Sequence, residues 1–296
     1  MWSRTVPTQP ETDRSTERLA GIGTTAALLE ALPYVARFVG KTVVVKIGGS
    51  IHGDGTALED VATLARLGVK PVVVHGGGPM ISEWQGKMGL EPKFVDGRRY
   101  TDEVTLDLAR MVLIGKANSD LVAHLVSLGG RAVGLSGIDG GLIRARLRDP
   151  KLGLVGEVTH VDLGPVKALM DAGYLVVVAP SAADDTGQPL NVNADSIAGD
   201  IARALGAETL VMFTDVDGVK DKSGTVLSAL TVAQVSDLIA SGEISGGMIP
   251  KVEACVRALD TVPRAQILDG RVPHALLGEL FTDAGVGTMI TRESVA

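Results

Sequence analysis

Two lysines of this chain stand next to paired glycines: Lys46 in Val45-Lys46-Ile47-Gly48-Gly49, and Lys251 in Gly246-Gly247-Met248-Ile249-Pro250-Lys251. Backbone without Cβ atoms can bring its N–H groups close to a ligand, and an ammonium beside it adds a full positive charge. Such a point suits an anion, above all a phosphate. A third glycine run, His75-Gly76-Gly77-Gly78-Pro79, and an arginine pair, Arg98-Arg99, add two more anion-ready places. An arginine near a helix N-terminus can clamp a carboxylate with two parallel hydrogen bonds. Together these residues suit phosphoryl transfer, which needs charge neutralisation and positioning more than a covalent nucleophile. A lysine on each side of the migrating group would stabilise its equatorial oxygens. Asp195, in Asn191-Val192-Asn193-Ala194-Asp195, could hold both ammonium groups, although by itself it reads as an ordinary helix cap. A carboxylate acceptor needs no strong base, because it is already ionised at neutral pH.

These side chains need rigid elements behind them. Thr42–Ile47 lacks polar alternation, the pattern of a central strand covered on both faces, and Lys46 falls near its C-terminal end, where open α/β sheets hold ligands. The spacing predicts helix Ala57–Leu67, buried strand Pro71–His75 and helix Met80–Met88 after the triple glycine. Asp96-Gly97 predicts a hairpin within Lys93–Tyr100, followed by Thr101 as N-cap of a helix over Asp102–Ile114. Helix Asn118–Leu128, strand Ala132–Leu135, hairpin-like strands within Leu142–Val161 at the sheet edge, helix Leu163–Ala172 and strand Leu175–Val178 complete the first half. The second half reads as helix Ser196–Leu205 with Asp195 at its cap, strand Thr209–Phe213 and the polar loop Lys220–Gly224. Helix Thr231–Ser241, a helix from Gly246-Gly247 to about Leu259, strand Ala265–Leu268, helix Ala275–Leu280 and strand Gly287–Ile290 follow. Asp215 and Asp217 read equally as a metal pair or as an Asx turn. Alternating strands and helices predict an α/β fold with an open, mostly parallel sheet.

Ahead of this pattern, residues 1–22 read as a polar tail. From Thr24 a helix is expected, with Leu28, Leu32, Val35 and Phe38/Val39 on one stripe, Tyr34 close by and Pro33 interrupting it.

Composition narrows the function classes. Across 296 residues, hydrophobic side chains make up 45% but aromatics only 3%, so the core must be aliphatic. A net charge of −7 gives no bulk support for a nucleic-acid partner. The single cysteine, Cys255, excludes an intramolecular disulfide or a cysteine-cluster metal site, and makes a reducing cytoplasm the expected location. No leader segment is read at the start, and no apolar run approaches the ~20 residues of a membrane span, so no membrane partner is expected. The P-loop, dinucleotide-binding, Gly-x-Ser-x-Gly and His-Glu-x-x-His patterns are all missing, as are internal repeats.

The motifs occur in a telling order: Val45–Gly49, His75–Pro79, Gly97-Arg98-Arg99-Tyr100-Thr101-Asp102, Asn191–Asp195 and Gly246–Val252. Over about residues 41–290 the chain resembles the amino acid kinase family, and the last two segments are most similar to its branch acting on N-acetyl-L-glutamate. The resemblance implies a three-layer αβα sandwich behind an N-terminal helix, with a tail over 1–22, an oligomerisation helix over 23–40, an acyl-amino-acid-binding half over 41–187 and an ATP-binding half over 188–296. It implies that Gly77, Gly78, Arg99 and Asn191 bind N-acetyl-L-glutamate, Arg99 at its α-carboxylate. Lys46 and Lys251 would stabilise the transferred phosphoryl group, with Asp195 organising both. Gly48, Gly49, Thr214, Asp215, Gly246 and Gly247 would border ATP, which arrives with Mg2+ and without a metal ligand from protein side chains. The product would be N-acetyl-L-glutamyl 5-phosphate, in the second step of arginine biosynthesis.

Arginine-inhibited members carry an N-terminal helix that interlaces dimers into a hexamer. The same resemblance places L-arginine near Tyr34, Glu279 and Gly285, and admits docking of a PII-type signalling protein. Three positions depart from the pattern: Gln266 stands where such members often have histidine, Ala284 replaces a common acidic residue, and the Ser50–Gly55 loop is unusual. Two other readings share the fold. A kinase for carrier-protein-linked aminoadipate or glutamate calls for a basic surface near Gly246–Lys251, where Met248-Ile249-Pro250 is apolar. A non-catalytic arginine sensor would have lost Lys46, Lys251 or Asp195, and all three are present.

Overall fold

The structure, a computed structural model, describes residues 14–48, 56–95, 97–282 and 285–293. Helix α1 (Arg14–Phe38) leads into strand β1 (Thr42–Ile47), then helix α2 (Ala57–Arg66), strand β2 (Lys70–His75) and helix α3 (Gly78–Lys87). A hairpin of β3 (Phe94–Val95) and β4 (Arg98–Arg99) precedes one long helical run: α4 (Glu103–Arg110), a π-helical stretch over Met111–Asn118, and α5 (Ser119–Ser127). Strands β5 (Ala132–Ser136), β6 (Ile143–Leu147) and β7 (Gly156–Val161), helix α6 (Gly164–Asp171) and strands β8 (Leu175–Ala179), β9 (Ser181–Ala183) and β10 (Pro189–Asn191) follow. The remainder comprises α7 (Ala194–Leu205), β11 (Thr209–Thr214), β12 (Ala229–Thr231), α8 (Val232–Ala240), α9 (Met248–Ala258), β13 (Ala265–Asp269), α10 (Ala275–Phe281) and β14 (Thr288–Thr291).

The main sheet has the order β12-β14-β13-β11-β1-β2-β8-β5, parallel throughout except where β13 meets β14. Alternation along its strands separates two cores. Val44, Val72, Val74, Val178 and Met212 face Ile197 and Ile201 of α7 and Cys255 of α9, whereas Val43, Val45, Val73, Val177 and Phe213 face α2, α5 and α10. Side chains of successive strand residues point to opposite faces, so an unbroken valine run fills both layers at once. The three-layer α/β sandwich expected from the sequence is the observed architecture. Strand β1 lies at the middle, paired on one side with β2 and on the other with β11, so residues before and after α7 meet along its length.

Several expectations need correction. Strands β6 and β7 do not extend the main sheet; they form a second sheet of order β10-β9-β6-β7. Their reason is visible in β6, where buried Ile143 and Ala145 alternate with exposed Arg144 and Arg146, a one-sided strand that a doubly covered sheet would not accept. Helix α1 runs through Pro33 without interruption. Proline there deletes the bond to the Leu29 carbonyl, on an exposed face where water can replace it. The expected stripe on α1 is only partly used: Tyr34, Val35 and Phe38 pack on the core, while Leu32 and Val39 are exposed. Thr101 does not cap the next helix. Asp102 does, accepting from Thr105 N at 2.8 Å, and the helices expected as Asp102–Ile114 and Asn118–Leu128 fuse through the π-helical stretch. The 1–13 part of the tail, Ser50–Gly55 and Asp96 lie outside the described residues.

One polar latch ties α2 to the segment that precedes α10. His274, in the left-handed region at φ 55°, sets Nδ1 2.6 Å from Oδ1 of buried Asp60. Hydrogen bonding to Asp60 raises the His274 pKa, and the Asp60 charge adds to this. Burial raises the Asp60 carboxyl in turn and outweighs the pull of His274. A histidine whose folded pKa is raised stabilises fully below its unfolded pKa, about 6.5, and loses that contribution as pH climbs through the folded value. His274→Asn, which tolerates the left-handed backbone, should therefore lower Tm more at pH 6 than at pH 9. An equal Tm loss at both pH values in thermal melts would show that the charge of His274 plays no part.

Candidate active site

Lys46, near the C-terminal end of β1, pairs in register with Met212 of β11 and Val74 of β2, and so sits where the two halves of the sheet meet. Both β1 and α7 bring charge to this point. Asn193 is the true N-cap of α7, its Oδ1 accepting from Ser196 N at 3.0 Å. Asp195 instead occupies the first turn and turns inward, a correction to its expected capping role. Lys46 Nζ lies 2.7 Å from Asp195 Oδ1 as an ion pair off the hydrogen-bond direction, and Lys251 Nζ donates to Oδ2 at 3.1 Å. One buried carboxylate thus joins two ammonium groups that would otherwise repel.

Burial lowers the Lys46 pKa; Asp195 opposes that shift and the charge of Lys251 reinforces it. Burial alone would raise the Asp195 carboxyl, but the two lysines hold it below the usual carboxylate range. Lys251 reaches the site from the first turns of α9, after Gly246 at φ 54° and Gly247. One turn further along α9, Cys255 is fully buried, and burial together with the Asp195 charge pushes its thiol well above its ordinary pKa.

Lys46 and Asp195 line a cavity of about 270 Å³ together with Gly77, Gly78, Arg99 and Asn191. Arg99 is held firmly. It donates from Nη2 to Gly78 O at 2.9 Å and to Ser82 Oγ at 2.8 Å, donates from Nη1 to Gln85 Oε1, and stacks over Phe94. A guanidinium has five N–H donors, so two stay available to a ligand. Asn191 Nδ2 donates to Thr101 Oγ1 at 3.1 Å, and Thr101 Oγ1 donates to Arg99 O, linking β10 to the hairpin. A neighbouring cavity of about 180 Å³ shares Arg98 with the first and is lined further by Arg148, Arg203 and Arg257, the latter two flanking buried Asp200.

Other expected site residues lie elsewhere. Thr214 ends β11 and donates to Asp215 Oδ1 at 3.3 Å; with Gly246 and Gly247 these residues stand outside the cavity, on the second half. Gly48 is buried just beyond β1, and Gly49 lies outside the described residues. Asp217 is occupied by Lys220 and Arg271, each at 2.8 Å, which leaves it a poor metal ligand; among the described residues no His, Cys, Asp or Glu group could hold a metal ion. Tyr34 of α1, Glu279 of α10 and Gly285 belong to the opposite layer, where Phe38 stacks edge-on against Phe281 and Glu279 accepts from Val286 N at 2.7 Å. Gln266 is committed to Thr209, whose hydroxyl lies 2.6 Å away, and Ala284 is outside the described residues.

With the geometry in place, the profile of the amino acid kinase family matches residues 41–269. The chain belongs to the amino acid kinase family. This kinase is 49% identical over 284 residues to the acetylglutamate kinase of Symbiobacterium thermophilum, covering 90% of this chain and 97% of that one. It is 50% identical over 273 residues to the acetylglutamate kinase of a Synechocystis species, covering 89% and 92%. Among solved structures, N-acetylglutamate synthase from Neisseria gonorrhoeae with coenzyme A and N-acetyl-glutamate superposes with a TM-score of 0.81 at 28% identity; the match covers 92% of this kinase but 64% of that longer chain. Carbamate kinase from Giardia lamblia bound to AMP-PNP shares the fold at a TM-score of 0.61 and 18% identity, covering 86% and 99%.

Sequence reading missed some of this kinase's cavity. Ser82 and Gln85, which hold Arg99, sit three residues apart on one face of α3, a spacing that could have drawn attention to them. Leu113, Val155 and Pro180 line the wall as ordinary apolar residues and carry no such signal. Among the described residues, no helix is long and apolar enough to cross a membrane.

Proposed function

We propose that this kinase transfers the γ-phosphoryl group of ATP to the γ-carboxylate of N-acetyl-L-glutamate, giving N-acetyl-L-glutamyl 5-phosphate, in the cytoplasm and within arginine biosynthesis. One observation carries the reading: a single cavity is lined by Arg99, with free donors, and by the buried Lys46–Asp195 pair, and Asp195 also holds Lys251. A cation for each of two carboxylates suits a short dicarboxylate. The neighbouring cavity, with four arginines against Glu157 and Asp200, adds positive potential beside the first in a protein whose net charge is −7. The names of the curated relatives agree with it.

In this reading the acceptor's α-carboxylate lies against Arg99, its amide near Asn191, and its acyl portion along the Gly77 and Gly78 backbone. The γ-carboxylate oxygen attacks phosphorus in line. A new oxygen–phosphorus bond forms as the bond to the β-phosphate oxygen breaks, and ADP leaves without any proton transfer. Lys46 and Lys251 balance the charge spread over the equatorial oxygens, and Asp195 fixes the spacing between them. Gly48, Gly49, Thr214, Asp215, Gly246 and Gly247 border the nucleotide. Mg2+ enters as part of the MgATP substrate. The halves 41–187 and 188–296 divide the binding of acceptor and nucleotide.

ADP release with MgATP and, in turn, N-acetylglutamate, glutamate, aspartate and UMP tests the reading. Turnover confined to N-acetylglutamate is the expected result; turnover with another acceptor and none with N-acetylglutamate overturns it. Arg99→Ala should raise KM for N-acetylglutamate roughly ten- to a hundredfold, the scale of a charged hydrogen-bonded pair, with a smaller change in kcat. An unchanged KM removes Arg99 from the acceptor site.

The proposal extends to α1. Its exposed Leu29 and Leu32 offer an apolar face for a second subunit, and L-arginine would bind between α1 and the segment holding Glu279 and Gly285. A dimer would then assemble further into a hexamer, and a PII-type protein would be an added partner. Removing residues 1–31, which spares Tyr34, Val35 and Phe38, should leave turnover intact and reduce the assembly to a dimer in sedimentation. An unchanged assembly would exclude the role given to α1.

A further inference from the structure

The π-helical stretch Met111–Asn118 stands behind the acceptor cavity and meets the His75–Gly78 loop at two points. Near its start, Leu113 occupies the space that a Cβ on Gly77 would need. At its end, buried Asn118 donates from Nδ2 to Val177 O at 3.1 Å, and the same nitrogen lies 3.2 Å from His75 Nε2. A backbone carbonyl only accepts, so it fixes which end of the Asn118 amide is the NH2 group. An NH2 group only donates, so His75 Nε2 must be the acceptor. The ring proton therefore sits on Nδ1, 2.9 Å from Gly76 O, to which it donates. Gly134 clears the room: a Cβ there would overlap Asn118 Oδ1.

We propose that Asn118 is a positioning residue for the acceptor site. It fixes the tautomer of His75, His75 fixes the Gly76 carbonyl, and that carbonyl, in one peptide plane with the Gly77 N–H, sets the direction in which this N–H faces. The π-helical register has a use here. Its hydrogen bonds close over five residues instead of four, and this turns both Leu113 and Asn118 toward the loop from one helical run. The inference rests on the reading of Gly77 and Gly78 as acceptor-binding residues.

Nitrogen NMR of the full-length wild-type chain is the first test, and it requires no variant. The expected spectrum shows a protonated Nδ1 and a bare, pyridine-like Nε2 for His75; a proton on Nε2 overturns the proposal. Asn118→Leu should then raise KM for N-acetylglutamate about tenfold while KM for ATP stays within about twofold, the scale of one buried hydrogen bond lost on the acceptor side alone. A folded Asn118→Leu enzyme with both KM values unchanged, or with both raised alike, overturns it as well. Should Asn118→Leu not fold, Asn118→Asp, of the same shape with an acceptor in place of the donor, is judged by the same split. Amide NMR of the wild type tests the loop apart from the tautomer: added N-acetylglutamate should shift the Gly77 and Gly78 N–H resonances. If they stay unmoved while the tautomer is as stated, the loop reading fails first and the proposal falls with it.

Discussion

Lys46→Met and Lys251→Met should each fold and yet lose kcat by about 10²–10³, the usual cost of removing one preorganised group from a developing negative charge. The fold should survive because either change swaps a charged chain for an apolar one of similar length and leaves Asp195 with its other lysine. Turnover should not survive, because the triad has two cations, Lys46 from β1 and Lys251 from α9, and neither can stand in for the other's position. KM for N-acetylglutamate should move far less than kcat, since Arg99 and Asn191 remain. Steady-state ADP release together with thermal melting reads both quantities. Near-normal kcat in either variant would take that lysine out of the reaction.

Asp195→Asn should strike stability as well as rate. With the carboxylate gone, two ammonium groups face each other in a buried place, and breaking such an arrangement costs about 3–5 kcal/mol. The sign of its pH dependence follows from the lowered Asp195 pKa. A carboxyl depressed in the folded state stabilises fully above its unfolded pKa, near 3.9, and loses that contribution as pH falls through the folded value. The wild type's advantage over Asp195→Asn should therefore be complete at neutral pH and shrink on strong acidification. Denaturant melts at pH 7 and pH 3 measure it. Equal stability of the two proteins at pH 7 would mean that the triad contributes nothing to the fold.

What could be read from residues alone followed physical rules. Strand β1 was legible because Val43, Val44 and Val45 break the alternation that a half-exposed strand requires, and the β3–β4 hairpin because Asp96-Gly97 suits its turn. Lys46, Gly77, Gly78, Arg99, Asn191 and Asp195 line one cavity; glycine runs and isolated charges drew attention to their motifs, and the order of the family's motifs grouped them. Asp195 was misplaced at the cap for a local reason. Asn193 and Asp195 are both cap-forming residues, and only the burial of Asp195 between two lysines from distant parts of the chain tells them apart. Asn118 was passed over because its place depends on π-helical register, and an apolar period of three to four residues looks the same with or without that extra step. The fate of β6 and β7 hung on tertiary packing, since a hairpin pattern does not say which sheet it joins.

The lone thiol of Cys255 has a consequence outside catalysis. It sits on the helix that delivers Lys251, fully enclosed and far from its reactive form. A thiol-specific reagent added to the native protein can modify the chain at this position alone, and only during moments when α9 lifts from the layer beneath it. The rate of labelling is therefore a clock for that opening, readable from the mass of the intact chain without any engineered probe. Saturating MgATP should slow it if Lys251, on the same helix, meets the phosphoryl group as proposed.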